Sequence, residues 1–225
     1  MLVKDWMSKT VISTDMNDSM QEAMNRLKEN NISMLPVMKR DKIVGIVTDR
    51  DLKRASASDA NTLEVHELLF LITKIKVKEI MTENPVVLPF DFTVEEAAEV
   101  LLEQKISGAP VVDGEGKMIG VITKNDLFRV LIALTGVGRR GIQFAFVVED
   151  RPGSIRELAD VIRHYGGRMV SILSTYEGVE KGYRKVFIRM YGVARNQLPQ
   201  LEKELGEKAR YLYLVDHREN RREIF

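Results

Sequence analysis

The stretch Val44-Gly45-Ile46-Val47-Thr48-Asp49-Arg50-Asp51-Leu52 decides the fold, because it returns as Ile119-Gly120-Val121-Ile122-Thr123-Lys124-Asn125-Asp126-Leu127. The β-branched apolar run reads as a strand, and the Thr-x-x-Asp that closes it reads as the start of a helix. Working outward, Ile32-Ser33-Met34-Leu35-Pro36-Val37 returns as Ile106-Ser107-Gly108-Ala109-Pro110-Val111, and Val3-Lys4-Asp5-Trp6-Met7 as Val77-Lys78-Glu79-Ile80-Met81. These outer segments are displaced by 74 residues (Met7 to Met81) and the strand by 75 (Gly45 to Gly120). The extra residue therefore falls in the turn between them, Arg40-Asp41 in one copy and Asp113-Gly114-Glu115-Gly116 in the other. Self-similarity of this length marks one supersecondary unit used twice.

The rest of the unit follows from local chemistry. Ser19-Met20-Gln21-Glu22 and Thr93-Val94-Glu95-Glu96 are capping boxes, in which hydroxyl and carboxylate satisfy backbone N–H groups that a helix start leaves open. Met20, Ala23, Met24, Leu27 and Val94, Ala97, Ala98, Leu101 then recur at i, i+3, i+4, i+7, which predicts an amphipathic helix in each copy. Each unit reads strand, helix, strand, strand, helix. Alone it would expose its sheet, so two copies are expected to pack together.

The 225 residues carry 34 Lys and Arg against 33 Asp and Glu, so no global field recruits nucleic acid, membrane or acidic partners. Cysteine is absent, which excludes disulfides, thiolate nucleophiles and thiolate metal sites. The start has no apolar run of signal-peptide length, and Leu68-Leu69-Phe70-Leu71-Ile72 is too short to span a bilayer. A cytoplasmic protein is expected.

Thr48, Asp51, Thr123 and Asp126 admit two readings. Thr-x-x-Asp where a strand meets a helix is a sufficient N-cap pair and needs no ligand. The same geometry suits phosphate, because open N–H groups and the positive helix end attract anions, and a carboxylate one turn in accepts from ribose hydroxyls. Arg50 and Lys124 add a cation beside each position. The strand ending in Gly-hydrophobic-hydrophobic-Thr-x-x-Asp, preceded by a hydrophobic-Ser-x-x-Pro-Val strand, resembles the cystathionine-β-synthase (CBS) motif over about residues 1–135, and its tandem use resembles a Bateman module.

That resemblance implies sheet-to-sheet packing with two clefts for adenosyl ligands, an adenine nucleotide or S-adenosylmethionine acting as regulator with no required cofactor. It implies that Thr48, Arg50, Asp51 and Thr123, Lys124, Asn125, Asp126 meet phosphate and ribose, and that the base lies against Ile32, Ser33, Pro36 and Ile106, Ser107, Gly108, Ala109, Pro110. Asp49 adds negative charge at the first position where Lys124 adds positive charge at the second, so more phosphate is expected at the second.

Between the copies, Ala55-Ser56-Ala57-Ser58-Asp59-Ala60-Asn61 reads as a small polar break and the residues from Thr62 to Ile72 as a helix, with His66 assigned no role. Residues 65–81 are similar to the matching stretch of the acetoin-utilisation proteins, which implies a place in acetoin catabolism. After Leu134, Thr135-Gly136-Val137-Gly138-Arg139-Arg140-Gly141 reads as a linker, and the remainder predicts βαββαβ, a ferredoxin-like order. Asp150-Arg151-Pro152-Gly153 after the first strand resembles the ACT-domain signature, implying a candidate amino-acid loop, whereas Gly167-Arg168-Met169-Val170 departs from that family's Gly-x-Asn-Ile. The bland alternative is that Pro152 starts the helix and Gly153 permits close packing. The fold class is therefore α+β/α/β, with motifs at 1–60 and 77–135, a linker helix at 61–76, an ACT-like domain at 141–217 and a tail at 218–225.

Catalysis is not expected. His66, His164 and His217 lack metal-ligand spacing, and no Walker A or Gly-x-Ser-x-Gly motif occurs. Arg139-Arg140 and Arg218-Glu219-Asn220-Arg221-Arg222 read as a solvated linker and tail rather than a nucleic-acid surface. The expectation is a regulatory sensor forming a two-fold homodimer and acting on a partner enzyme, with an interaction scaffold whose clefts are empty, or an amino-acid sensor, as alternatives.

Overall fold

The structure is a computed structural model that describes residues 1–59 and 73–225. The linker helix expected at 61–76 lies largely outside the described residues, as does His66. Two compact units divide the chain, Met1–Phe128 and Arg129–Phe225.

In the first unit a short helix, α1 (Val3–Trp6), precedes strand β1 (Thr14–Asp15) and helix α2 (Met20–Glu29). Strands β2 (Met34–Lys39) and β3 (Lys42–Thr48) form an antiparallel hairpin, and helix α3 (Asp49–Asp59) follows. The second copy repeats this order: α4 (Val77–Ile80), β4 (Thr82–Glu83), β5 (Leu88–Pro89), α5 (Val94–Glu103), β6 (Gly108–Val112), β7 (Met118–Thr123) and α6 (Lys124–Thr135). Both capping boxes are formed, at Ser19/Glu22 and Thr93/Glu96. Asn31 and Lys105 both take the left-handed conformation just past α2 and α5, where Ile32 N–H donates to Leu27 O and Ile106 N–H to Leu101 O. This closes each helix and turns the chain into β2 or β6.

Each copy gives its leading segment to the other. Val3 is fully buried in the second core, with Leu88, Leu101, Ala109 and Ile122, while Val77 is fully buried in the first, with Met20, Leu35 and Val47. β4 pairs with β3, and Ser8 bridges to Val121 of β7. Motif ranges 1–60 and 77–135 therefore follow the repeat along the chain, whereas each folded half combines parts of both. Gly45 and Gly120 make this crossing fit, because a Cβ on Gly45 would lie 2.6 Å from Met81 Sδ and one on Gly120 would lie 2.4 Å from Met7 Sδ. The polar break expected from Ala55 is a correction: α3 runs through it to Asp59, since alanine and serine carry little penalty in a helix that already has a cap.

The second unit continues with strand β8 (Ile142–Glu149), α7 (Ser154–His164), β9 (Arg168–Thr175), β10 (Tyr183–Tyr191), α8 (Leu198–Lys208), β11 (Arg210–Asp216) and β12 (Arg221–Ile224). These strands make one antiparallel sheet in the order β12-β11-β8-β10-β9. Phe144, Phe146, Val186, Ile188 and Leu214 bury one face against Leu158, Ile162, Leu201 and Leu205 of the two helices. The residues read as a solvated tail instead add the edge strand β12. Arg221 forks onto Glu202 at 3.0 Å through two nitrogens, and Phe225 packs on Tyr211 with ring centroids 5.1 Å apart. Such tertiary partners override a charged local sequence.

Candidate functional site: two threonine–aspartate corners

At the β3–α3 junction the Asp51 Oδ2 accepts from Thr48 N–H at 3.0 Å and from Thr48 Oγ1 at 2.6 Å, while Thr48 Oγ1 accepts from Asp51 N–H at 3.3 Å. The β7–α6 junction repeats these contacts, with Asp126 Oδ2 at 2.9 Å from Thr123 N and 2.7 Å from Thr123 Oγ1. The N–H opening each helix is also tied inward, from Asp49 to Ser33 O at 3.1 Å and from Lys124 to Ser107 O at 2.9 Å. Both corners thus hold a complete reciprocal cap, and that cap joins the helix start to the beginning of the preceding hairpin.

The expected base-facing residues stand beside these corners. Pro36 pairs across from Ile46 and Pro110 from Val121, both prolines buried. Ile32 and Ile106 are half-buried against their cores, Ala109 is fully buried, and Ser33 and Ser107 are exposed apart from their bonded carbonyls. Arg50 and Asn125 are exposed, while Lys124 is half-buried and has no ion pair among the described residues.

Two differences separate the corners. At the first, Asp49 stands where the second has Lys124, and Lys53 bonds it at 2.6 Å; Arg54 also bonds Asp51 Oδ1 there at 3.0 Å, and Arg129 holds the matching sequence position in the second copy. In the ladder, Met34 faces Thr48, whereas Gly108 faces Thr123. Gly108 is required there, since a Cβ would lie 2.9 Å from Ile122 O and 3.0 Å from Thr123 Cγ2. Lys53 and Arg54 were not among the residues predicted to matter, although their i+4 spacing from Asp49 and i+3 spacing from Asp51 announces the pairs.

The Asp150–Gly153 loop is occupied by its own contacts. Arg151 forks onto Glu157 at 2.7 and 2.9 Å and reaches Glu149 at 3.2 Å, and this guanidinium holds the Glu157 carboxyl below its usual range. Pro152 does not start the helix, as the sequence suggested: Gly153, at φ 93°, caps α7, which begins at Ser154. Among the described residues no helix is long and apolar enough to cross a membrane, and no group of three or more His, Asp or Glu is placed to hold a metal ion.

Comparison with known proteins extends this geometry. The CBS domain family profile matches residues 3–58 and 77–133. A CBS domain-containing protein of Dictyostelium discoideum is 36% identical over 132 residues, 58% of this chain and 91% of that protein. The L-aspartate semialdehyde sulfurtransferase of Methanocaldococcus jannaschii is 35% identical over 57% of this chain but only 23% of its own length. The crystal structure of the CBS domain pair of protein MJ0100, in complex with 5′-methylthioadenosine and S-adenosyl-L-methionine, superposes with a TM-score of 0.50 at 33% identity, covering 58% of this chain and 99% of that one. Matched twice, over the two halves whose leading segments interlock, the chain belongs to the CBS domain family as a tandem pair, a Bateman module.

Proposed function

We propose that the first unit is a non-catalytic regulatory sensor of an adenosyl ligand, AMP, ADP, ATP or S-adenosylmethionine. The observation that carries this is the duplicated Thr–Asp corner on a pair 33% identical to one crystallised with 5′-methylthioadenosine and S-adenosyl-L-methionine. In this reading Asp51 and Asp126 take ribose hydroxyls, and Thr48 and Thr123 sit beside the phosphate or ribose. Of the first three helical N–H groups, two already have acceptors within each repeat, which leaves those of Arg50 and Asn125 for an anion. The base would lie along Ile32, Ser33, Pro36 or along Ile106 to Pro110. Arg54 must leave Asp51 Oδ1 for ribose to bind there, a small cost because its side chain is 77% exposed.

Isothermal titration of the full chain with each nucleotide and with S-adenosylmethionine tests the reading. Saturable binding that weakens in Thr123→Ala/Asp126→Ala supports it, and no binding of any adenosyl compound at millimolar concentration sinks it. A second reading, an interaction scaffold with empty clefts, is favoured by one contact set: Thr48 and Arg54 already engage both oxygens of Asp51.

For the second unit we propose an ACT-like role in dimerisation or signal transmission. The support is its βαββαβ order and the strand order β11-β8-β10-β9 within the sheet. Amino-acid binding at Asp150, Arg151, Pro152 and Gly153 is the weaker variant, since Arg151 is held by Glu157. A two-fold homodimer, a regulated partner enzyme and a place in acetoin catabolism complete the proposal, the last resting on the similarity of residues 65–81 alone. A ligand becomes a regulator here only through different affinity for two states of the pair.

A further inference from the structure

On the face of the second unit's sheet opposite α7 and α8, one rung runs Arg189, Gln143, Val215, Arg222 across β10, β8, β11 and β12. The neighbouring rung runs Phe187, Ala145, Tyr213, Ile224. Three strand spacings separate the two arginine backbones, ~14 Å, which their long side chains can close from either end. Between them lies a hollow of about 420 Å³, lined by Gln143, Arg189, Tyr213, Val215, Arg222 and Ile224 among others. That size is right for a small molecule.

The polar groups in it are donors. Arg189 is only 4% exposed, and its charge meets no carboxylate among the described residues. Nε donates to Thr135 O at 2.8 Å and Nη2 to Gln143 Oε1, while Nη1 has no acceptor among the described residues. Gln143 Nε2 in turn donates to the Tyr213 hydroxyl at 3.1 Å, so that hydroxyl's own proton is left to point elsewhere. Burial pushes the Tyr213 phenol up, which keeps the proton on. Arg222 is exposed without an ion pair among the described residues. Burial, with Arg189 and Arg222 beside it, pushes His217 down, the mark of a cationic hollow. The carboxylate of Glu223 is bound to Arg221 at 2.6 Å. One buried guanidinium nitrogen without an acceptor, the half-buried Tyr213 hydroxyl and the exposed Arg222, beside apolar surface from Val215 and Ile224, suit an anion with an apolar body.

We propose that this face is a binding site for a small monocarboxylate, its carboxylate held by Arg189, Arg222 and the Tyr213 hydroxyl and its hydrocarbon part against Val215 and Ile224. The site is independent of the nucleotide reading of the first unit. The test is isothermal titration of the full chain with sodium isovalerate, sodium acetate, inorganic phosphate and the neutral isovaleramide at constant ionic strength. Isovalerate binds, acetate binds more weakly for want of apolar contact, and isovaleramide does not bind. Arg222→Ala and Tyr213→Phe each weaken isovalerate roughly tenfold or more, as expected for hydrogen bonds to a charged group, and leave ATP titrations unchanged. Arg189→Gln abolishes binding; should that variant not fold, the other two decide. Absence of isovalerate binding at millimolar concentration, equal binding of the amide or of phosphate, or indifference to both Arg222→Ala and Tyr213→Phe overturns the proposal and leaves Arg189 as a clamp on the end of α6.

Discussion

The two Thr–Asp corners share a skeleton and differ in their surroundings. In both, the aspartate Oδ2 takes the threonine N–H and hydroxyl, and the threonine oxygen takes the aspartate N–H. Around that cap the first corner has Asp49 bound to Lys53 and Met34 across the ladder. The second has Lys124 and Gly108 in the corresponding places. Folding therefore explains the four shared residues by itself, and any difference in ligand has to come from their neighbours. The cap and the site are one set of atoms used for two purposes, and only measurements that compare the copies separate them.

The largest effects are expected where the copies interlock. Gly45→Val and Gly120→Val should each cost about 1–3 kcal/mol in urea unfolding, because Met81 or Met7 and the backbone beside it must move. Similar losses fit reciprocal exchange; a neutral Gly120→Val would show that Met7 does not cover β7. Next come the caps. Asp51→Ala and Asp126→Ala should each lose about 1 kcal/mol of stability without ligand, the ordinary worth of an N-cap. A much larger loss at one corner would mean that its aspartate does more than cap. Exchanging the charged neighbours, with Asp49→Lys and Lys124→Asp, should move ATP affinity a few-fold in opposite directions and fade as salt rises, since Asp49 is exposed and Lys124 only half-buried.

The smallest effect concerns acid. Backbone and side-chain hydrogen bonds from Ser19 hold Glu22 below the usual glutamate value, and those from Thr93 do the same for Glu96. A carboxylate whose folded value is depressed adds stability above its unfolded value, about 4.3, and loses it as pH falls through the folded one. Glu22→Gln and Glu96→Gln should therefore flatten the acid limb of stability below about pH 4.3 by similar small amounts. An unchanged acid limb would count against both boxes.

Much of the fold was legible because its signals are local. The paired capping boxes, the amphipathic stripes and the displaced hairpins each state their own structure. The exchange of leading segments was not legible, because a displacement of 74 residues says that Val3 and Val77 are alike but not whose sheet each joins. Gly45 and Gly120 were the available clue: a glycine inside a β-branched strand signals close approach of another chain segment. The strand at Arg221–Ile224 was hidden because its charged sequence shows no apolar alternation, although it closes a hairpin on β11 from Asp216 to Arg221. At the site, Thr48 bonds Asp51 and Thr123 bonds Asp126, but whether they cap or bind is written in no local pattern.

The proposal that the second corner takes phosphate more tightly than the first is tested most directly by titrating ATP into the wild type, Thr48→Ala/Asp51→Ala and Thr123→Ala/Asp126→Ala, each first verified as folded by urea unfolding. Tight binding that survives the first pair of substitutions and falls at least tenfold with the second is the predicted result. Equal losses in both, or a loss confined to Thr48→Ala/Asp51→Ala, would contradict it.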